Sequence, residues 1–360
     1  MRVLVAGDRG YIGAVLVPLL RDASHVVDGL DSGLYEGCDF GMPPDDVPGR
    51  PAVDMRDVEP RHLKGYDAIV CLAALSNDPL GSVDPATTRS INVEGTLRLA
   101  RAAKAAGVER FVFSSSCSLY GEAGAVAVAE DARLAPITPY GESKVVSEQR
   151  LSTLADDAFT PTYLRNATAY GVSSRLRLDI VVNNLAAVAF TTGEVRLESD
   201  GSPWRPLVHV EDICRAILAI LEAPREVVHD EAFNVGRTSD NVQVRDIAEL
   251  VVGAVPRAKI AIASGAGPDR RDYRVDFSKL AGTFPDLAMR WSVPEGVDEL
   301  LGALEGSAFS YDDFTSSRYV RLRRIAELRA TGVLDNMLRR RVGAPLAEAG
   351  AEARAEAVRS

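Results

Sequence analysis

The chain has 360 residues, 46% of them hydrophobic and 26% charged, and a formal net charge of -10. This is the composition of a globular protein with one large domain and a smaller one, not of a disordered chain, and its acidity argues against a nucleic-acid partner, since a phosphate backbone would meet a repulsive field. The four cysteines, Cys38, Cys71, Cys117 and Cys214, form neither C-x-x-C pairs nor a metal-type cluster with the four histidines, so no metal is expected and a reducing, cytoplasmic setting is.

From Met1 and Arg2 the chain runs straight into a strand-like Val3 to Ala6, with no room for a signal peptide, and no apolar stretch approaches membrane-spanning length; neither export nor a membrane partner is expected. Ile12 to Leu20 follows as a helix, His25 to Leu30 as a strand, Ala68 to Leu72 as a strand and Pro85 to Ala106 as a helix. Arg110 to Phe113, Thr138 to Leu154 and Thr162 to Leu164 continue the alternation. Short β-branched runs alternating with longer amphipathic ones predict a parallel sheet covered on both faces, a doubly wound α/β fold of the Rossmann type. Past Arg165 the pattern loosens, with Gly- and Pro-punctuated segments between shorter helices such as Val210 to Glu222 and Val244 to Val255, which predicts a smaller C-terminal substrate-binding domain. The expected division is 1–165 for the dinucleotide-binding domain with a return around 206–236, then 166–205 and 237–342 for the substrate region, and an Ala/Glu/Arg-rich tail at 343–360. The densest basic run, Arg318 to Arg341, reads as a solvated or subunit-contacting face.

Gly7, Gly10 and Gly13 fall directly after the first strand and at the start of the first helix, where missing side chains let backbone N–H groups approach a pyrophosphate at the helix N-terminus. The second strand ends at Asp31, whose carboxylate can accept both ribose hydroxyls of NAD but would repel the 2′-phosphate of NADP. NAD is favoured over NADP on this basis, with Arg9 inside the glycine turn the one dissenting residue.

Tyr140 and Lys144 stand at i and i+4 at the start of a helical run, so phenol and ammonium share a face, and a nearby cation favours the phenolate needed for acid/base work. The segment Ser114-Ser115-Ser116-Cys117-Ser118-Leu119-Tyr120-Gly121 follows the strand at Arg110 to Phe113, at the carboxyl edge where open α/β sheets place ligands. A serine there can bond the substrate oxygen that Tyr140 protonates or deprotonates, while Lys144 reaches the nicotinamide ribose.

With these marks on the page, residues 1 to about 300 resemble the extended short-chain dehydrogenase/reductases that act on nucleotide sugars, the group of the UDP-galactose 4-epimerases and dTDP-glucose 4,6-dehydratases. The resemblance rests on the glycine turn with Tyr11-Ile12, on Asp31, Asp54-Met55-Arg56-Asp57, Leu72-Ala73-Ala74, Asn92, the serine segment, Tyr140/Lys144, Asn183-Asn184-Leu185, Arg205 and His209-Val210-Glu211-Asp212. It implies a catalytic set of Ser116, Tyr140 and Lys144, with Ser116 the substrate-binding hydroxyl. It implies cofactor contacts from Gly7, Gly10, Tyr11, Ile12, Gly13, Asp31, Ser32, Asp54 (near the adenine), Met55, Leu72, Ala73, Ala74, Asn92, Ser114, Tyr140 and Lys144. It also implies that Asn184 and Arg205 hold the diphosphate of a nucleotide sugar, with Ser76, Cys117, Ser118, Asn166, Thr168, Asp269 and Arg270 as further candidate substrate contacts, and that the chain forms a homodimer.

Dehydratases of the group carry an Asp-Glu pair after the position of Ser116; here Cys117 and Ser118 stand there, so dehydration is disfavoured. Thr168 replaces a usual asparagine, and the Arg-x-Gly-Asp of the 4-epimerases becomes Gly265-Ala266-Gly267-Pro268-Asp269. The stretch beyond Gly306 has no counterpart in the plain 4-epimerases. The expected activity is NAD-dependent epimerisation of a nucleotide-diphosphate sugar through a transient keto sugar, with reduction of a 4-keto sugar or another nucleotide-sugar oxidoreductase or dehydratase reaction as the alternative, and NAD binding without chemistry as the less favoured one.

Overall fold

The computed structural model describes residues 1–41, 53–76, 84–122, 126–197, 199–262 and 272–341; the expected tail at 343–360 lies outside them. Strands β1 (Arg2–Ala6), β2 (Val26–Leu30), β3 (Ala68–Cys71), β4 (Arg110–Ser116), β5 (Ala127–Val128), β6 (Thr160–Asn166), β7 (Thr168–Tyr170), β8 (Glu194–Leu197), β9 (Trp204–His209) and β10 (Glu231–Val235) follow in chain order. The central sheet is six-stranded, in the order β10-β6-β4-β3-β1-β2, and every pairing in it is parallel. This is a doubly wound, Rossmann-like sheet.

Period-2 alternation divides the strand residues between two cores. Val3, Val5, Val27, Val70 and Val112 pack on one face with Leu16 and Leu20 of the helix Gly13–Asp22 and Ile213 and Ile217 of the helix Val210–Glu222. Leu4, Ala6, Ile69, Phe111 and Phe113 pack on the other with Leu97 and Ala100 of the helix Thr96–Ala106 and Leu151 of the helix Pro139–Ser152. With no face left for water, the central strands β1 and β3 are almost continuously apolar. A third cluster, around Leu185, Leu207, Ile247 and Leu300, belongs to the elements that follow β6.

β1 sits between β2 and β3, and the chain leaves it first to one side and then to the other. A crevice opens at the carboxyl ends of strands flanking such a reversal. The glycine turn after β1, Leu72-Ala73 after β3 and the serines of β4 all open onto it.

Two expectations change. The helix read at Pro85 to Ala106 is α-helical at Pro85–Arg89 and Thr96–Ala106 but π-helical across Ser90–Gly95. Within that segment Asn92 accepts the Leu75 N–H at 2.8 Å and donates to the Leu75 carbonyl at 3.1 Å and to Ser143 Oγ at 3.1 Å, so its side chain clips the loop after β3 to the neighbouring helix, a use of irregular helix that π-bulges commonly serve. The basic run is solvated only in part, with Arg323, Arg329, Arg340 and Arg341 exposed. Arg321 and Arg324 of the helix Arg321–Ala330 are buried, because backbone carbonyls receive their guanidiniums: Arg175 O for Arg321 at 3.0 Å and Glu36 O for Arg324 at 3.1 Å. Ile325, Leu328, Val333, Leu334 and Leu338 join the same apolar cluster as Leu4 and Met55, so this segment packs on the sheet domain although it follows the elements of the third cluster in sequence.

The helix Pro139–Ser152 is tied to β6 by a buried ion pair, Arg165 to Glu148 at 2.7 Å, with Arg165 also donating to Tyr120 Oη and the Glu130 carbonyl. Glu148→Gln leaves a buried guanidinium short of its charge partner, a change that costs about 3–5 kcal/mol in comparable settings; urea unfolding is expected to show a loss in that range, and a loss below about 1 kcal/mol would mean that the pair is solvated.

Candidate active site

The glycine turn is sterically defined. Gly7 has φ +91, and a Cβ there would stand 2.8 Å from the Ala73 nitrogen; a Cβ on Gly13 would stand 2.2 Å from the Gly7 carbonyl oxygen. The turn closes with Gly10 N–H donating to Gly7 O at 3.0 Å, while Leu72 and Ala73 N–H groups both reach Ala6 O. Backbone from β1 and β3 therefore meets at a point that any side chain would fill, which is the cradle a pyrophosphate needs at a helix N-terminus.

Gly7, Gly10, Tyr11, Ile12, Gly13, Asp31, Ser32, Asp54, Met55, Leu72, Ala73, Ala74, Ser114, Tyr140 and Lys144 all line one crevice of about 750 Å³. Asp31 accepts the Gly33 N–H at 2.7 Å. Burial raises its pKa, against the N–H donors of Gly33 and Arg9 and the Arg9 and Arg175 charges, so hydroxyl donors from a ribose would add to what already favours the carboxylate. Asp54 caps the turn Met55–Asp57 and binds Arg56 Nε at 2.9 Å; burial pushes its pKa up, but Arg56 holds it below the usual range. Asn92 does not line the crevice. It acts behind the wall, through Leu75 and Ser143.

At the carboxyl edge, Thr138 Oγ1 caps the helix Pro139–Ser152. One turn in, the Lys144 ammonium donates to the Ser114 carbonyl at 2.6 Å and lies 4.6 Å from the Phe113 ring centroid and 5.6 Å from that of Tyr140. Burial pushes its pKa down to about 8, against the Glu148 charge, which favours the cation. The ammonium is thus still the major form at pH 7, poised near the range in which a proton relay works best.

Ser116 ends β4 and caps the turn Cys117–Tyr120, its Oγ accepting from Ser118 N at 3.2 Å and Ser118 Oγ at 3.0 Å, and both serines face the crevice. Cys117, read from sequence as a candidate substrate contact, points the other way. It is fully buried, donates to the Arg165 carbonyl, and has its pKa pushed up by burial, as an inert packing thiol would. Asn166 donates to Ser114 Oγ at 2.9 Å, and its Oδ1, like Ser115 Oγ, is buried with no partner on the crevice wall, an open acceptor and an open hydroxyl for a bound molecule. Thr168, Ser76, Asn184 and Arg205 also line the crevice; Asn184 donates to Leu178 O at 2.8 Å and Arg205 to Trp204 O at 2.8 Å. Asp269 and Arg270 lie outside the described residues.

Four arginines that sequence reasoning did not place at the site, Arg56, Arg177, Arg196 and Arg321, also line it. Arg177 binds Asp179 through two bonds of 2.9 and 3.1 Å, donates to Ser76 Oγ at 2.8 Å, and lies within electrostatic reach of Tyr140. Its signal in the sequence was the alternation Arg175-Leu176-Arg177-Leu178-Asp179, charges held in strict register with apolar residues. Arg321 had no such marker inside its basic run.

The chain belongs to the NAD dependent epimerase/dehydratase family, whose model matches residues 3–236, and NAD is its cofactor. It is 32% identical over 266 residues to a UDP-glucose 4-epimerase of Mycolicibacterium smegmatis, covering 71% of this chain and 83% of that one. Among solved structures it is similar to MoeE5 in complex with UDP-glucuronic acid and NAD (TM-score 0.74, 26% identity, 85% of this chain and 100% of that one). It is also similar to DesIV, a dTDP-glucose 4,6-dehydratase from Streptomyces venezuelae with NAD bound (TM-score 0.71, 25% identity, 85% and 97%). The cradle at Gly7 and Gly13, the acid at Asp31 and the open polar atoms of Ser115 and Asn166 fit a dinucleotide.

The depressed Lys144 sets a pH test. Below about pH 8 folding buries a charge; between about pH 8 and 10.5 the unfolded chain keeps a proton that the folded chain has released, so stability from this group rises with pH across that window. Lys144→Met removes the penalty, and its stability advantage over the wild type is expected to shrink between pH 7.5 and pH 10 in urea unfolding. A difference independent of pH would show that Lys144 is not desolvated.

Proposed function

We propose that the protein epimerises the sugar of a nucleoside diphosphate sugar through a transient keto sugar. Tyr140 takes the proton of the hydroxyl at the carbon being inverted and later returns it, Ser116 hydrogen-bonds the same oxygen, and Lys144 together with Arg177 stabilises negative charge on the phenol. NAD held in this crevice would supply the hydride acceptor and donor, and inversion follows when the hydride is returned to the opposite face of the keto carbon. Ser76, Thr168 and Asn166 face the sugar, and Asn184 and Arg205 hold the diphosphate, Arg205 as a charge-assisted donor.

The observation that carries inversion over dehydration is the chemistry beside Ser116. Elimination of water needs an acid and a base placed next to the oxidised carbon. The two following residues offer a thiol turned into the core and a hydroxyl bound to Ser116. Among the described residues lining the crevice the carboxylates are Asp31, Asp54 and Asp179, and Asp179 is committed to Arg177.

The test is a panel of UDP-, dTDP-, GDP- and CDP-sugars incubated with the purified protein and no added cofactor. An inverted sugar is expected from one of them; accumulation of a dehydrated keto sugar, or turnover only with stoichiometric NADH or NADPH, would refute the reading. Tyr140→Phe is expected to lower turnover by about a hundredfold or more while the amount of NAD that co-purifies stays the same.

A further inference from the structure

The segment after Gly306 brings two side chains, Arg321 and Leu338, to the wall of the crevice. It is anchored there by bonds to the sheet domain: Arg56 donates to Met337 O at 2.9 Å and Thr87 Oγ1 to Asn336 O at 3.3 Å. Leu338 packs in the cluster that holds Met55, Leu30 and Ile91.

Arg321 is 2% exposed. Its guanidinium carbon lies 4.1 Å from the Tyr35 ring centroid and Nη2 donates to Arg175 O, but Nη1 is buried with no hydrogen-bond partner. Two other guanidiniums stand near it, and each already has a carboxylate, Arg177 with Asp179 at 2.9 Å and Arg175 with Asp39 at 3.0 Å. The Asp179 carboxylate, held by Arg177, also acts on Arg321 at longer range, and the other ionisable groups that bear on it, the Tyr35 phenol and the Cys38 thiol, are both raised by burial and so neutral at pH 7. A buried cation with an open N–H on a crevice wall is a half-made ion pair. What completes it must be anionic and rich in acceptor oxygens, which describes a diphosphate.

We infer that Arg321 binds the diphosphate of the dinucleotide, so that the C-terminal segment supplies part of the cofactor site. The inference rests on the reading of this crevice as the NAD site. The cofactor's diphosphate is favoured over the nucleotide sugar's because Arg321 stacks on Tyr35, in the loop that begins with Asp31, and Leu338 of the same segment packs beside Met55; the candidate contacts for the sugar's diphosphate, Asn184 and Arg205, come from other elements.

The experiment measures NAD release from the purified holoprotein, and the affinities of ADP-ribose, adenosine and UDP by calorimetry, for the wild type, Arg321→Met and Arg321→Lys. Arg321→Met is expected to speed NAD release and weaken ADP-ribose by about tenfold to a hundredfold, with adenosine and UDP unchanged; Arg321→Lys, which keeps the charge but not the fork, falls between. UDP weakened with ADP-ribose unchanged would assign Arg321 to the sugar nucleotide and overturn the inference. Adenosine weakened as much as ADP-ribose would make Arg321 a packing residue and overturn it too. If Arg321→Met does not fold, Arg321→Lys decides alone: unchanged NAD release and ADP-ribose affinity overturn the assignment. Should the wild type bind neither NAD nor ADP-ribose, the failure lies with the reading of the crevice itself.

Discussion

The buried ammonium of Lys144 is the constraint around which the site is built. An amine placed under a phenol, at the carboxyl end of a parallel sheet, must give up most of its hydration, and only a few groups make up for the loss: the Ser114 carbonyl at 2.6 Å, the Phe113 ring face and, at longer range, Glu148. Each of these has to be held in place. β4 supplies the carbonyl and the ring. The helix Pro139–Ser152 supplies Lys144 and Glu148 together, and Arg165 of β6 fastens that helix through Glu148. Even Gly141 is set by the same close approach, since a Cβ there would stand 3.0 Å from both Pro136 and the Ser118 carbonyl. The helix Pro139–Ser152 thus has little room to shift without exposing or stranding the charge.

Much of this was legible in the sequence, for reasons that differ from residue to residue. The alternation of β-branched runs and amphipathic helices reflects two covered sheet faces, so the doubly wound class follows from which residues must avoid water. Gly7 and Gly13 are legible because a strand-to-helix turn leaves no volume for a side chain. Tyr140 and Lys144 are legible because i and i+4 on a helix share a face. What escaped depends on partners distant in the chain. Cys117 sits among crevice-facing serines, but the turn that starts at Ser116 rotates it toward the Arg165 carbonyl. Asn92 looks like a cofactor contact until Leu75 and Ser143 take up its amide. Arg321 and Arg324 look solvated in a run of arginines, because nothing local announces that Arg175 and Glu36 will present carbonyl oxygens to them.

Charge is distributed along the crevice in a way that suits a dinucleotide beside a nucleotide sugar. The carboxylates Asp31, Asp54 and Asp179 line it together with Lys144 and the guanidiniums of Arg56, Arg177, Arg196, Arg205 and Arg321. On a chain with a net charge of -10, these cations gain their effect from being on low-dielectric walls, where field lines concentrate. The family to which the chain belongs sets the cofactor; this arrangement of charge shows how the chain can hold anionic ligands despite its overall acidity.

Under the proposed epimerisation, cofactor retention and chemistry are one problem. A hydride removed from the sugar has to return to the same molecule, so the keto sugar and the reduced cofactor must remain together for the whole cycle. A crevice formed only from the glycine turn and the sheet edge would hold the dinucleotide along one side. If Arg321 binds the cofactor's diphosphate as inferred, an element from beyond residue 306 that contributes Leu338 near Met55 and a guanidinium near Tyr35 would add contacts along the dinucleotide from a part of the chain remote from the turn. Contacts to the diphosphate would touch no reacting atom and would bind the oxidised and reduced cofactor alike, so they would slow release without altering the barrier to hydride transfer. A net oxidoreductase, which exchanges cofactor at every turnover, would be slowed by the same device, and for that reason the C-terminal segment bears on which reaction the site performs.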